Sequence, residues 1–375
     1  MTLDDLPTPA LVLDRPRMLR NIERMRTRLR RFGVRFRPHL KTCKSYEVAR
    51  LMLDGPAGPA TVSTLKEAEY FAAHGVTDLL YAVGIVPAKL DAVAAPRARG
   101  CDVIVLLDSV AMAEALAAYA RERGDAMPAL IEIDTDGHRS GLVPDDPALL
   151  DVAEALSRGA RLRGVMTHAG ASYACRSAES LAAMAEQERA GAVHAAQRLR
   201  AAGHEAPVVS VGSTPTALSA RALDGVTEVR AGVFVFFDLV MAGVGVCTAD
   251  DLALSVLATV IGQRRDTGWL ITDAGWMAMS RDRGTASQPV DQGYGLVLDV
   301  DGAPLPGWWM HDANQEHGVL ARRDGAPADL ARFPIGTRLR ILPNHACATA
   351  AQHAVYHVVD GGRDVAAVWP RIGGW

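Results

Sequence analysis

From residue 14 to about residue 245 the apolar positions switch repeatedly between two rhythms. Short runs rich in β-branched residues, apolar at nearly every position, are followed by Ala-rich stretches whose apolar residues recur every three or four positions and which close on glycine. Residues 14–32 give the clearest case: Met18, Ile22, Met25, Leu29 and Phe32 repeat at a 4-3-4-3 spacing, the stripe of an amphipathic helix. Its other face carries Arg17, Arg20, Arg24, Arg28 and Arg31, interrupted by Glu23, and reads as a solvated face. The runs 34–40, 60–63, 78–83, 103–107, 129–134, 162–168, 208–212 and 228–236 read as strands. Residues 45–53, 65–74, 110–123, 147–157 and 180–202 read as helices between them. Eight such units over roughly 200 to 250 residues match a (β/α)8 TIM-type barrel. A doubly wound open sheet is the rival, but no GxGxxG follows the first strand.

Beyond about residue 246 the rhythm changes. Residues 252–261, 269–272, 294–300, 339–342 and 355–359 read as strands between Gly, Pro and Asp turns, with no convincing long helix among them. The expected fold is therefore α/β, with a barrel over residues 14–245. Residues 1–13 and 246–375 form a C-terminal all-β domain, to which the apolar run 10–13 contributes.

Composition narrows the class of function. At 375 residues and 49% hydrophobic the chain can fill a large core, which excludes disorder. A formal net charge of -3 gives no electrostatic reason to expect nucleic acid or an anionic membrane, so a small molecule is the expected partner. No window offers about 18 consecutive apolar residues, and the opening residues lack the basic-then-apolar layout of a secretory signal, so the expected location is the cytoplasm. Five cysteines without a CxxC pair read as reduced thiols, which makes a cysteine in a motif either a ligand or a packed hydrophobe.

Candidate chemistry lies at the strand ends, because the C-terminal ends of barrel strands face the active site. The first strand ends in Arg37-Pro38-His39-Leu40-Lys41-Thr42-Cys43-Lys44, where Lys41 is placed to form a Schiff base with a carbonyl cofactor, though such a lysine taken alone is more often solvated. The fifth ends in a charged, glycine-bracketed stretch from Glu132 to Gly141 whose Arg139 could bond a cofactor, or which simply makes turns. The sixth leads into Thr167, His168 and, five residues on, Tyr173. The seventh leads into Gly212-Ser213-Thr214-Pro215-Thr216 and the eighth into Arg230-Ala231-Gly232-Val233, where barrels frequently bind phosphate. In the β domain, His345 and Cys347 in Pro343-Asn344-His345-Ala346-Cys347-Ala348-Thr349 would share one face of a strand and could converge on one metal. Imidazole and thiolate favour zinc over magnesium, and two protein ligands describe an open, catalytic site. The alternative for Cys347 is a small buried hydrophobe.

Taken together, these motifs resemble one family. Pro38-His39-Leu40-Lys41-Thr42 with Lys44 resembles the lysine motif of the fold type III pyridoxal-phosphate enzymes related to D-threonine aldolase and eukaryotic-type D-serine dehydratase. Thr8-Pro9-Ala10-Leu11-Val12-Leu13-Asp14, Glu132 to Gly141, the Gly-Ser-Thr-Pro-Thr loop, Asp291-Gln292-Gly293-Tyr294-Gly295, Gln315-Glu316-His317-Gly318, the His345/Cys347 pair and Trp369-Pro370-Arg371 extend the likeness over nearly the whole chain.

The resemblance implies an alanine-racemase-like barrel plus β domain, assembled as a homodimer. It implies pyridoxal 5'-phosphate on Lys41, with Ser213, Thr214, Gly232 and Val233 at the phosphate and Arg139, His168 and Tyr173 around the ring. A divalent metal, zinc with manganese or magnesium as alternatives, would sit on His345 and Cys347 and take the substrate's β-hydroxyl. His39, Gln315, Glu316, His317 and Arg281 are the weaker substrate candidates. Arg281 and Arg283 could each receive a second carboxylate or lie in a surface turn. Family aldolases place an aspartate where this chain has Cys347, so the resemblance tilts toward a dehydratase of D-3-hydroxy amino acids such as D-serine or D-threo-3-hydroxyaspartate. Phe234 stands where many relatives have tyrosine, so no hydroxyl contact is carried over there. The alternatives are a retro-aldol enzyme giving glycine and an aldehyde, an amino-acid racemase, for which a metal is unnecessary, and a non-catalytic pyridoxal-phosphate-binding protein, against which the β domain and its His-x-Cys pair argue.

Overall fold

Eight strands line up in parallel as the repeating rhythm requires. In a computed structural model covering residues 1–326 and 329–375, the order is Arg35–Phe36, Glu228–Val229, Val208–Val211, Arg161–Thr167, Pro128–Ile133, Asp102–Leu107, Asp78–Gly84 and Ala60–Val62. The two ends of this sheet meet through a parallel bridge between His39 and Thr61, where Leu40 N donates to Thr61 O at 2.8 Å and Thr61 N to Pro38 O at 2.9 Å. The sheet thus closes into the (β/α)8 barrel. Pro128–Ile133 is buried at all six positions, because both faces of a parallel sheet are covered. Leu80, Ile104, Leu106, Leu130 and Met166 form one tight cluster of this core.

The helices around it are Tyr46–Met52, Leu65–Ala73, Leu90–Arg97, Val110–Arg123, Ala148–Ser157, Ala178–Ala201 and Thr214–Ser219. Side-chain caps explain where three of them start: Thr64 accepts from Glu67 N, Ser109 from Met112 N and Ser177 from Ser180 N. Leu90–Arg97 escaped the sequence reading because it carries Pro96 and almost no apolar stripe.

The expected eighth strand, 228–236, is a correction. Only Glu228–Val229 is extended; Arg230 N bonds Val211 O at 2.8 Å on one edge, and Ala231 O, accepting from His39 N at 2.8 Å on the other, is the last rung. The apolar run continues as the buried 3-10 turn Val233–Val235, closed by Phe237 N on Val233 O at 2.7 Å with Phe237 at φ 49°. A short, wholly buried apolar run has no periodicity to tell a helical turn from a strand.

The chain divides into two units. One is the barrel, Arg24–Gly232 with Gly374–Trp375, and the other joins Met1–Glu23 to Val233–Gly373. The second unit is built on a nine-stranded, mostly antiparallel sheet in the order Trp269–Thr272, Gly318–Arg322, Pro304–Ala313, Gly295–Asp299, Arg338–Pro343, Leu254–Arg264, Ala10–Asp14, Val355–Val359 and Val365–Pro370. Trp269–Thr272 also pairs with Leu254–Arg264, so the first six strands form a ring. Ala10–Asp14 joins antiparallel to Leu254–Arg264 and parallel to Val355–Val359. Its inward side packs with Leu3, Leu6, Leu257 and Val359. The strands Pro304–Ala313, Gly318–Arg322 and Val365–Pro370 were not read from the sequence. Two of the three are largely half-exposed, and Pro304–Ala313 carries two prolines and a glycine.

Candidate active site

At the barrel's first strand end the backbone turns sharply over residues 40–44, with Lys44 N on Leu40 O at 2.8 Å and Lys44 at φ 44°. The two motif lysines separate here. Lys44 Nζ lies 3.2 Å from Glu67 Oε1, whereas Lys41 is exposed and has no hydrogen-bond or ion-pair partner among the described residues. Lys41 is the available amine. Behind it His39 Nε2 pairs with Ser63 Oγ at 2.8 Å, and Gly232 lies so close that a Cβ there would sit 3.1 Å from His39 O and 3.2 Å from Thr42 Oγ1.

The electrostatics of this mouth are cationic. Arg230 is buried, donating to Ser210 Oγ at 2.9 Å and to Thr167 O; burial lowers its pKa to about 10 against the support of Glu188, Glu228 and Glu132. Burial, with Lys41, Arg230, His168 and Arg139 adding positive charge, holds His39 well below its ordinary value. Burial likewise brings His168 to about 3, although its Nδ1 faces Gly212 O at 3.1 Å. Both imidazoles are therefore neutral at pH 7. Arg139 is exposed and 3.8 Å from Glu132, a loose pair. Tyr173 is half-exposed, its ring 6.5 Å from that of His168.

One glutamate organises two of the loops. Glu188 is buried on Ala178–Ala201, and its Oε1 accepts from Ala169 N at 2.9 Å and Gly212 N at 3.1 Å. It thereby fixes the chain just after His168 and just before Ser213. Gly212, at φ 127°, has no room for a side chain: a Cβ would come within 2.2 Å of Arg230 O. Ser213 caps Thr214–Ser219 by accepting from Thr216 N and shares a 3.0 Å contact with Ser172 Oγ. Sequence reading missed Glu188. Its signal was a lone acidic residue inside the buried stripe Leu181, Ala185, Ala192, Ala195, Ala196 and Leu199.

The second unit holds His345 and Cys347, but not on a strand as the sequence suggested. His345 is the residue preceding the short helix Ala346–Ala350, at φ -133° and ψ 110°, and Cys347 lies in the first turn. The strand stops at Pro343, which ends the Arg338–Pro343 ladder. The side chains still meet, with the Cys347 sulfur within hydrogen-bond reach of the imidazole. His345 Nδ1 is 2.5 Å from Asp282 Oδ2, and buried Asp238 accepts from Ala346 N at 2.9 Å. Burial alone would depress the imidazole, but Asp282, Cys347 and Asp238 together raise it to about 11. Two carboxylates, Asp282 and Asp238, thus act on the imidazole. Among the described residues no group of three or more His, Cys, Asp or Glu is placed to hold a metal ion, and the pair offers two donors.

The remaining candidates in this unit scatter. Val233 opens the 3-10 turn Val233–Val235. Gln315, Glu316 and His317 form an exposed turn, from which the carbonyls of Asn314 and Gln315 accept from Trp276 N and Met277 N. Arg281 is exposed over the Trp276 ring at 5.1 Å, whereas Arg283 is committed to Asp291 at 2.6 Å.

Family models agree with this layout. Residues 13–240 match the alanine racemase N-terminal domain and residues 253–359 a serine dehydratase domain. Over 378 aligned residues the chain is 60% identical to D-threo-3-hydroxyaspartate dehydratase of Delftia sp., covering 100% of this chain and 99% of that one. The chain belongs to the fold type III pyridoxal-phosphate family of D-serine dehydratases, D-threo-3-hydroxyaspartate dehydratases and D-threonine aldolases. It is a lyase. Structures of D-threo-3-hydroxyaspartate dehydratase, one a cysteine-to-alanine mutant in the metal-free form and one a histidine-to-alanine mutant, each superpose with a TM-score of 0.97 at 59% identity, covering all of this chain and 100% and 97% of theirs. D-serine dehydratase of Dictyostelium discoideum is 27% identical over 97% of this chain and 96% of its own. D-threonine aldolase from Filomicrobium marinum matches with a TM-score of 0.81 at 26% identity, over 99% and 96%. Family membership implies pyridoxal phosphate, and the barrel residues suit it. There is an amine with no partner among the described residues for the carbonyl, a cationic mouth for the charge, and, in the loops after the last two barrel strands, the Ser213-capped start of Thr214–Ser219 and the close-packed Gly232.

Among the described residues no helix is long and apolar enough to cross a membrane.

Proposed function

We propose that this lyase eliminates water from D-threo-3-hydroxyaspartate, with pyridoxal phosphate and a divalent metal, zinc by donor chemistry, and that the released enamine takes water back up to give a 2-oxo acid and ammonia. The observation that carries the reading is the imidazole–thiol pair at His345 and Cys347. Its partner carboxylate at Asp282 occupies Nδ1 and leaves Nε2 for a metal. The 60% identity to a D-threo-3-hydroxyaspartate dehydratase supports the substrate. So does the existence of that enzyme's histidine and cysteine mutants two positions apart, the spacing of His345 and Cys347, with the cysteine mutant metal-free.

Lys41 would hold the cofactor, with Ser213, Thr214, Gly232 and Val233 at its phosphate and Arg139, His168 and Tyr173 around its ring. Pyridoxal phosphate supplies an electron sink for the charge left at the substrate's α-carbon, and a metal supplies Lewis acidity toward the β-hydroxyl. With the substrate in place, the Lys41 amine would accept the α-proton. His39 and His168, neutral at pH 7, add no further charge to the mouth around Lys41. His345 and Cys347 would hold a metal, whose Lewis acidity would help hydroxide, a poor leaving group by itself, to depart. Arg281, with no carboxylate partner among the described residues, receives the second carboxylate of the substrate. Gln315, Glu316 and His317 buttress the start of Trp276–Met279 through their turn. The protein is a cytoplasmic homodimer in this reading.

Specificity is tested by comparing kcat/KM for D-threo-3-hydroxyaspartate, D-serine and D-threonine on the purified enzyme. A preference for the first is expected. A preference for D-threonine overturns the substrate assignment.

A further inference from the structure

Asp282 sits in the middle of a loop that is stitched at both ends to the segment bearing the metal ligands. At one end Thr349 Oγ1 donates to Met279 O at 2.6 Å. At the other, Thr285 N donates to Asn344 Oδ1, and Asn344 Nδ2 returns the bond to Thr285 Oγ1, both at 2.9 Å. Between these anchors the backbone is forced. Ser280, buried, adopts φ 73° and ψ 161°, a region that residues other than glycine rarely occupy. The loop holds that conformation through Ser280 N on Trp276 O at 2.8 Å, Asp282 N on Ser280 Oγ at 3.2 Å and Gly284 N on Asp282 Oδ1 at 3.0 Å. The net result is a carboxylate oxygen, Oδ2, 2.5 Å from His345 Nδ1.

Stability does not account for this arrangement. The two side chains are 37% and 40% exposed, and an ion pair so open to water contributes less than one non-glycine residue in the Ser280 region costs. Strain retained around a single contact marks a contact with a task.

We propose that Asp282 is the positioning residue of the metal centre. By accepting the Nδ1 proton of His345 it fixes the tautomer and ring orientation that present Nε2, beside Cys347, as ligand atoms. The inference rests on the metal reading of His345 and Cys347. Asp282 is not itself a ligand in this arrangement, since Oδ2 is spent on Nδ1 and Oδ1 on Gly284 N. Asp238 completes the frame by holding the amide of Ala346, the residue between the two ligands.

The test uses the full-length, cofactor-loaded protein stripped of divalent metal. Zinc affinity is measured by competition with a chromophoric chelator for wild type, Asp282→Ala, Asp282→Asn and His345→Ala. Cobalt(II) absorption reports the thiolate contact, and thermal melting of the metal-free proteins reports folding. Asp282→Ala is expected to weaken zinc about 10- to 100-fold while keeping the cobalt–thiolate band and the metal-free melting temperature. Asp282→Asn, whose amide oxygen still accepts from Nδ1, is expected to recover part of the loss. Zinc affinity within about twofold of wild type in Asp282→Ala overturns the proposal, as does a loss that merely tracks a lower melting temperature in both Asp282 variants. If wild type and His345→Ala bind zinc equally, the metal reading itself falls and takes the inference with it.

Discussion

Glu188 provides the sharpest test of how the barrel builds its loops. Replacing it with alanine removes the acceptor of two buried amides, Ala169 N and Gly212 N. An unsatisfied buried donor costs about 1–3 kcal/mol, so two amides amount to about 2–6 kcal/mol. The carboxylate also supports the charge of buried Arg230, which adds to the loss. Because both amides lie in the loops carrying His168 and Ser213, part of that energy should appear as cofactor affinity, at about 1.4 kcal/mol for each tenfold. Urea unfolding of the cofactor-free protein gives the stability change, and titration with pyridoxal phosphate followed by tryptophan fluorescence gives the affinity. We expect Glu188→Ala to lose at least about 2 kcal/mol and about tenfold or more in affinity. Glu188→Gln, which retains an acceptor oxygen, should recover most of both. An alanine variant within about 0.5 kcal/mol of wild type, with unchanged cofactor affinity, would refute the reasoning.

Other expectations follow from single side chains. Lys41→Ala should lose the visible absorbance of bound cofactor and all turnover while melting like wild type; retained absorbance at the wild-type wavelength would contradict the assignment. Arg281→Ala should lower kcat/KM for D-threo-3-hydroxyaspartate by about 10-fold or more, the value of a charge-assisted contact, and leave D-serine nearly unchanged. Equal losses on both substrates would remove Arg281 from recognition. His168 titrates at about 3 in the folded protein and near its ordinary value of 6.5 when unfolded. Acidification through that window therefore protonates only the unfolded chain, and stability falls as the pH drops from about 6.5 toward 3. His168→Asn should flatten that part of the stability–pH curve measured on the cofactor-free protein. An unchanged slope would show that other groups set it.

The barrel was legible because its strands alternate with helices in two distinct periods, and each observed barrel strand overlaps an expected one. What the chain did not reveal came from contacts rather than patterns. Residues 233–236 are as apolar as a strand, and only the end of the pairing ladder at Ala231 turns them into a helical turn. The spacing of His345 and Cys347 suits the alternation of a strand, but it is a helix start that brings them together. The ion pair that commits Lys44 to Glu67, and so sets it apart from Lys41, is likewise not written in the local sequence. Asp282 and Glu188 are far in sequence from the groups they hold, 63 residues from His345 for the one and 19 and 24 from its two amides for the other. No local spacing encodes such contacts, although an acidic residue within an apolar helical stripe is a usable signal.

The central claim, that this lyase cleaves carbon–oxygen and not carbon–carbon bonds, is tested most directly by product stoichiometry. Purified enzyme with pyridoxal phosphate and zinc is given D-threo-3-hydroxyaspartate alone, and ammonia, oxaloacetate, glycine and glyoxylate are quantified against substrate consumed. Ammonia and oxaloacetate, each equal to the substrate lost, are the expected result. Glycine and glyoxylate in their place would make the enzyme an aldolase and contradict the role given to His345 and Cys347.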